Sequence, residues 1–298
     1  MIKINKLTKK RENEFLMFQE KRFERLKPKL DMEPIFKPVV DYFYPSGIPN
    51  EKRIRNLLIG DINDLKNIIG SIGPILDKNN TFRTAYNNFH ISLLSCKLSK
   101  WLDLKTCPYC NRNYIFHFTK KGFLYEFDHY FPISEYPYLA LSLYNLIPAC
   151  SLCNLAKSAV NPCTKPFMYP YSDEFGYKIN FKIQYNTIFD LYKEQYNFDI
   201  IFDFCTSDKL LKNKANEAIN TLHLNDYYNK HKDDAFRIIK ICQLAKSSYV
   251  SSLQNEFSNL FLDENNLIET VIGTSFCKDD WKNSILSKFN YDIFNQFY

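Results

Sequence analysis

Glycine is scarce in this chain, 7 of 298 residues. That excludes collagen-like repeats and glycine-rich linkers, which need it in quantity. No glycine-rich phosphate loop occurs, so the chain carries no nucleotide-binding signature of its own. No apolar run approaches the roughly 18 residues that a membrane-spanning helix requires. The opening MIKINKLTKKREN also lacks the apolar core of a signal peptide. These absences predict a cytoplasmic protein with no membrane partner. Internal repeats and low-complexity tracts are missing too.

What the chain has in abundance is aromatic residues: 26 Phe, 21 Tyr and 2 Trp, with 45% of residues hydrophobic and 24% charged. Such a chain can bury one large core or two modest ones, at about 100 to 200 residues per domain. The net charge of +6 comes from 39 basic and 33 acidic residues. Residues 1–30 hold 10 Lys and Arg against 4 Glu, so the remainder is balanced at 29 of each. This basic arm, with Lys9, Lys10 and Arg11 at its centre, suits sequence-blind contact with phosphates, or else forms the solvated face of a helix.

Nine cysteines without an export signal read as reduced thiols, and closely spaced pairs then read as metal ligands before disulfides. Two Cys-x-x-Cys pairs occur, Cys107/Cys110 in TCPYCNRNY and Cys150/Cys153 in PACSLCNLAK. Four thiolates make a closed tetrahedral zinc site with no open position for water, so this zinc is expected to be structural. The 39 residues between Cys110 and Cys150 form a loop long enough to hold structure of its own. Cys96, Cys163, Cys205, Cys242 and Cys277 are scattered and are expected to behave as small apolar residues; Cys163 is also a conceivable substitute ligand, though it has no partner at Cys-x-x-Cys spacing.

The pattern of apolar residues predicts an α+β chain: helical over 1–103, short aromatic strands from Thr106 within 104–165, and strand-then-helix over 166–298. Helices are expected over 9–27, with Phe15, Leu16, Phe18, Phe23 and Leu26 inward, over 52–70 and over 82–102, with prolines interrupting from Pro28 to Pro49. His90 lies beside the stripe of the third helix and reads as a core or boundary histidine. Tyr114–Phe118 and Phe123–Phe127 read as a hairpin around Lys-Lys-Gly, 138–145 as irregular, and 154–159 as helix. Two or three strands are expected over 175–205. From Asp208 helical spacing returns, with a long core stripe from Ala235 through Ile238, Ile239, Cys242, Ala245, Tyr249, Leu253 and Phe257 to Leu260.

Inside the long loop, Asp128 and His129 stand side by side in FDHYFP, Asn145 precedes LIPAC, and Asn154 directly follows Cys153. This order resembles the zinc-stapled branch of the HNH endonucleases, the ββα-metal or His-Me finger superfamily. The resemblance spans about a sixth of the chain, from Cys107 to Lys157. It implies a ββα-metal finger in which His129 is the general base, Asp128 and Asn154 bind a catalytic Mg²⁺ or Mn²⁺, and Asn145 holds the His129 loop. The chemistry of the residues suits these roles, since imidazole titrates near neutrality and oxygen donors prefer hard cations. Asn154 stands where the most familiar pattern has His, which leaves the metal preference open. Asn154 could be a helix N-cap as well as a ligand, Lys157 a phosphate clamp or a solvated side chain, and Arg112 a phosphate contact; His117, His223 and His231 are expected to be non-catalytic.

The resemblance implies hydrolysis of phosphodiesters, most naturally in DNA. A looser likeness of CPYCNR, DHYFP and YPYLA to the nuclease subunit of Septu-type anti-phage systems implies a separate ATPase partner. Two rival readings share the same residues: a non-catalytic zinc module that binds nucleic acid or protein, and a ribonuclease toxin.

Overall fold

The computed structural model describes residues 1–118, 122–123, 125–191, 196–245 and 249–298, with side chains for all of these except 117–118, 122–123, 245 and 249. It is a mixed α+β chain of helices and small two-stranded antiparallel sheets. Contacts divide it into two compact units, where the sequence suggested three regions. One unit comprises Ile4–Leu104 and Ile115–Tyr171; the other comprises Met1–Lys3, Lys105–Tyr114 and Ser172–Tyr298.

The first unit opens with seven helices: α1 (Lys9–Glu24), α2 (Lys27–Met32), α3 (Lys37–Phe43), α4 (Glu51–Ile59), α5 (Ile62–Ile72), α6 (Thr81–His90) and α7 (Leu93–Leu102). In α1 the buried stripe is Phe15, Gln19 and Phe23, at four-residue spacing, while Phe18 stays exposed. Edge-to-face pairs tie the helices together: Phe23 on Phe43 at 5.2 Å, Phe36 on Phe82 at 5.5 Å and Phe15 on Phe89 at 6.0 Å between centroids. Each such pair contributes about 0.5–1.5 kcal/mol beyond the area it buries.

The proline-rich stretch does not stay irregular. Pro28 and Pro38 sit at the starts of α2 and α3, where a missing N–H leaves no bond unmade. The helix expected over 52–70 divides at Gly60-Asp61. A Cβ on Gly60 would meet the Asn56 carbonyl oxygen at 2.1 Å, and Asp61 forms a capping box with Asp64 that starts α5. The helix expected over 82–102 likewise breaks after His90.

The same unit then forms β1 (His117–Phe118) and β2 (Gly122–Phe123), paired antiparallel with His117 opposite Phe123, while turn residues 119–121 lie outside the described residues. The second arm of the expected hairpin does not run on to Phe127. Instead β3 (Glu126–His129) pairs with β4 (Leu146–Ala149), with Asp128 opposite Ile147 and His129 opposite Leu146. The reason is apolar: Phe127, Leu146, Ile147 and Ala149 are all buried, and pairing over the long loop covers them together. α8 (Ser151–Lys157) follows β4 directly.

The second unit is built on β5 (Ile179–Gln184) and β6 (Asp199–Phe204), antiparallel with Phe181 opposite Phe202, followed by α9 (Lys209–Thr221), α10 (Leu224–Tyr228), α11 (Lys232–Ala245), α12 (Tyr249–Glu256), α13 (Glu264–Ile272) and α14 (Ser287–Phe297). Its core centres on Phe181, which packs on Tyr228 at 4.1 Å and on Phe289 at 5.4 Å. The expected long stripe is core only in part: Ala235, Ile238, Ile239 and Cys242 are buried, whereas Phe257 and Leu260 are exposed. Residues 246–248 of that stretch lie outside the described residues. Of the scattered cysteines only Cys242 is buried; Cys163, Cys205 and Cys277 are exposed and Cys96 is half-buried. Those three are therefore not the small apolar core residues that their scatter suggested.

Candidate active site and metal centre

The Cys107–Cys110 knuckle is shaped by its own backbone. The Asn111 N–H donates to the Cys107 carbonyl oxygen at 2.8 Å, and Asn111 takes a left-handed φ of +51°, which Asn tolerates better than most residues. The chain then turns so that the Arg112 N–H donates to Cys110 Sγ at 3.4 Å, a contact that favours the thiolate. Buried Asn111 also anchors the turn: its amide donates to the Trp281 and Ser284 carbonyl oxygens at 3.1 Å and accepts from the Ser287 hydroxyl at 3.0 Å. The second knuckle has another origin: Cys150 caps α8 and Cys153 lies in its first turn, where the helix dipole stabilises negative charge.

All four cysteines are buried and their Sγ atoms lie within 4.8 Å of one another. Four thiolates at about 2.3 Å from one zinc sit roughly 3.8 Å apart, so the group fits a zinc ion in both chemistry and spacing. Cys163 is exposed and outside the group.

The second cluster follows from the alternation of β3. Residues 126 and 128 turn to one face and 127 and 129 to the other. On the first face the strand meets α8, whose Asn154 and Lys157 share a side at i, i+3. Asn154 Nδ2 donates to the Glu126 carboxylate. Lys157 Nζ lies 3.1 Å from Asp128 and donates to the His129 carbonyl oxygen at 2.9 Å. On the second face Phe127 and His129 meet α6. Tyr86 donates its hydroxyl to the Phe127 carbonyl oxygen at 3.1 Å and sets its ring edge-on to the His129 imidazole at 4.5 Å.

His129 Nε2 is 3.1 Å from the Ala140 carbonyl oxygen. A carbonyl can only accept, so Nε2 carries the proton and the neutral ring keeps its lone pair on Nδ1. Burial pushes the His129 pKa down from its ordinary 6.5 to about 4, against the opposing pull of the Ala140 bond and of Asp128. The ring is therefore neutral at pH 7 and can accept a proton. The loop that follows is braced by Asn145, which is fully buried. Its Oδ1 accepts from the Phe131 N–H at 2.7 Å, and its Nδ2 donates to the Phe131 and Leu139 carbonyl oxygens at 3.2 Å.

Asp128, His129 and Asn154 border one cleft of about 440 Å³, together with Glu126, Arg83, Tyr86 and His90. Glu126, Asp128 and the Asn154 amide supply hard oxygen donors there, a set that suits Mg²⁺ or Mn²⁺. Two expectations change. Lys157 is neither a phosphate clamp nor solvated: it is wholly buried, because a buried ammonium needs its carboxylate. Asn154 is not an N-cap, since α8 begins three residues earlier, at Ser151.

The other expected contacts lie apart from this cleft. Arg112 is held against the Tyr227 ring at 4.4 Å and donates to His231 Nε2 at 3.1 Å. The Nδ1 of His231 in turn lies 2.9 Å from Asp234. His223 is exposed beside Asp226, and the His117 side chain lies outside the described residues. The N-terminal stretch is not a loose arm: Met1, Ile2, Ile4 and Leu7 are buried and α1 is packed, leaving Lys9, Lys10 and Arg11 exposed on its surface, with Arg11 also donating to the Trp101 carbonyl oxygen.

Glu126, Arg83, Tyr86 and His90 line the cleft without a role in the motif. Glu126 could have been found from period-two alternation, being two residues before Asp128. Arg83, Tyr86 and His90 lie some 40 residues upstream and carry no local signal of their place. Comparisons with known proteins find no match among family models, curated proteins or solved structures. Among the described residues no helix is long and apolar enough to cross a membrane.

Proposed function

We propose that this chain is a metal-dependent endonuclease of the HNH type that hydrolyses phosphodiester bonds of DNA. The observation that carries the reading is the convergence of Asp128, His129 and Asn154 on one cleft, with the His129 proton held on Nε2 by Ala140. Nδ1 of His129 takes a proton from a water molecule as its oxygen attacks phosphorus. The bond from phosphorus to the 3′ oxygen then breaks and that oxygen takes a proton from solvent, leaving a 5′-phosphate and a 3′-hydroxyl. Asp128 and Asn154 would hold a divalent ion, which when bound would neutralise charge on the reacting phosphate. Asn145 keeps the loop after His129 in place, and Lys157 holds Asp128.

In this reading the four-cysteine group holds a structural zinc and takes no part in the chemistry. The looser resemblance to Septu-type nucleases extends the proposal to an anti-phage effector governed by a separate ATPase subunit, in keeping with a chain that lacks a nucleotide-binding loop of its own.

The test is incubation of the full chain with DNA and with RNA, under Mg²⁺ and Mn²⁺, with and without chelator. Chelator-sensitive cleavage of DNA supports the proposal. Cleavage of RNA alone points to the ribonuclease reading, and zinc-dependent binding with no cleavage to a non-catalytic module.

A further inference from the structure

The motif leaves one requirement of the cleft unmet. A phosphodiester entering it brings negative charge toward Glu126 and Asp128, and Lys157, the cation expected to receive it, is buried and committed to Asp128. Among the described residues that line the cleft the one lysine or arginine is Arg83, on α6. Arg83 is exposed, and among the described residues it makes no hydrogen bond or ion pair. Arg83, Tyr86 and His90 occupy i, i+3 and i+7, a single side of the helix, and all three border the cleft. Tyr86 and His90 are held there by stacking at 5.8 Å, and Tyr86 by its bond to Phe127, so the backbone that carries Arg83 is fixed against β3. A guanidinium on a fixed helix, open to solvent and without a partner of its own, is suited to bidentate capture of a phosphate.

We infer that Arg83 is the phosphate-binding residue of this cleft, receiving a non-bridging oxygen pair of a nucleic-acid backbone on the α6 side of His129. The inference deepens the nuclease reading and rests on it for the chemistry, though anion binding itself needs no cleavage. It also assigns α6, which lies outside the HNH-like stretch, to the substrate site.

The experiment pairs binding with kinetics for wild type, Arg83→Ala, Arg83→Lys and, as a charge control outside the cleft, Arg55→Ala. The Kd for a labelled single-stranded 12-mer deoxyoligonucleotide is measured with chelator present and over a range of salt. Arg83→Ala should weaken binding about 10- to 100-fold, the value of a charge-assisted pair. It should also lower the salt slope by about 0.7, one phosphate contact on a single strand. Arg83→Lys should keep the slope and recover part of the affinity, and Arg55→Ala should change Kd by less than about twofold. With Mg²⁺ or Mn²⁺ added, the same loss should appear in KM. If wild type binds and cleaves while Arg83→Ala matches it in Kd, slope and KM, the inference is overturned and the nuclease reading stands. If Arg83→Ala loses binding but wild type never cleaves, the anion site stands and the nuclease reading falls. A wild type that binds no oligonucleotide overturns both.

Discussion

Lys157 Nζ lies 3.1 Å from the Asp128 carboxylate and 2.9 Å from the His129 carbonyl oxygen, so one ammonium on the last turn of α8 is bonded to both residues of the Asp-His pair. Both charges are shut away from solvent, Lys157 completely and Asp128 nearly so. Such a pair holds geometry more than it adds stability, because desolvation offsets most of the attraction.

Removing one partner is therefore far worse than removing both. Lys157→Met should cost about 3–5 kcal/mol by taking the buried ammonium away from the buried Asp128 carboxylate. Lys157→Met with Asp128→Asn should regain most of that stability, yet remain inactive for want of the carboxylate. Denaturant titration of the two variants without added metal checks the first claim, and a cleavage assay the second. Equal destabilisation of single and double variants would refute the pairing.

The four-cysteine group should bring about one tightly bound zinc per chain, because four convergent thiolates bind the ion strongly. Elemental analysis of the purified chain measures it. Cys107→Ser with Cys150→Ser should lose zinc, thermal stability and activity together. Retention of zinc and fold by that double variant would refute the site.

His129→Ala should lower cleavage by about 10²–10⁴-fold, the usual worth of a general base, with zinc content and melting temperature close to wild type. The pH dependence gives a sharper check. Burial holds the folded-state pKa at about 4, below the ordinary 6.5, so the base stays neutral in mildly acidic solution. The rate should show no inflection near pH 6.5. For stability, a depressed histidine pKa means that the unfolded chain binds the extra proton, so stability is lost as pH falls from about 6.5 through about 4. His129→Ala should flatten that part of the stability profile.

In the proposed reaction Tyr86 would act through His129, by ring contact at 4.5 Å and by its bond to the Phe127 carbonyl oxygen. Tyr86→Ala frees the imidazole to tilt and should lower kcat roughly 10- to 100-fold with KM little changed. Tyr86→Phe keeps the ring contact and loses one hydrogen bond, so kcat should stay within about fivefold of wild type. A Tyr86→Phe variant as impaired as Tyr86→Ala would show that the hydroxyl, rather than the ring, does the positioning.

The sequence by itself determined what covalent spacing can carry. Two residues between cysteines bring both thiols to one turn, so Cys107/Cys110 and Cys150/Cys153 read as knuckles before any fold is known. Adjacency in the chain put Asp128 beside His129, but only the observed bounds of β3 set Glu126 on the Asp128 side and Phe127 on the His129 side. Tertiary structure alone decided what lies across those faces. β3 passed over its nearer neighbour and paired with β4, because burying Phe127, Leu146, Ile147 and Ala149 together outweighs closing the long loop, a cost that grows only slowly with length. That pairing set α8 down on Asp128, which turned Lys157 from a surface cation into a buried partner. It also brought α6 against His129, which is why Tyr86 and Arg83 reached the cleft from a helix with no mark of it in their own spacing: contact between distant segments is set by packing, and packing leaves no local pattern.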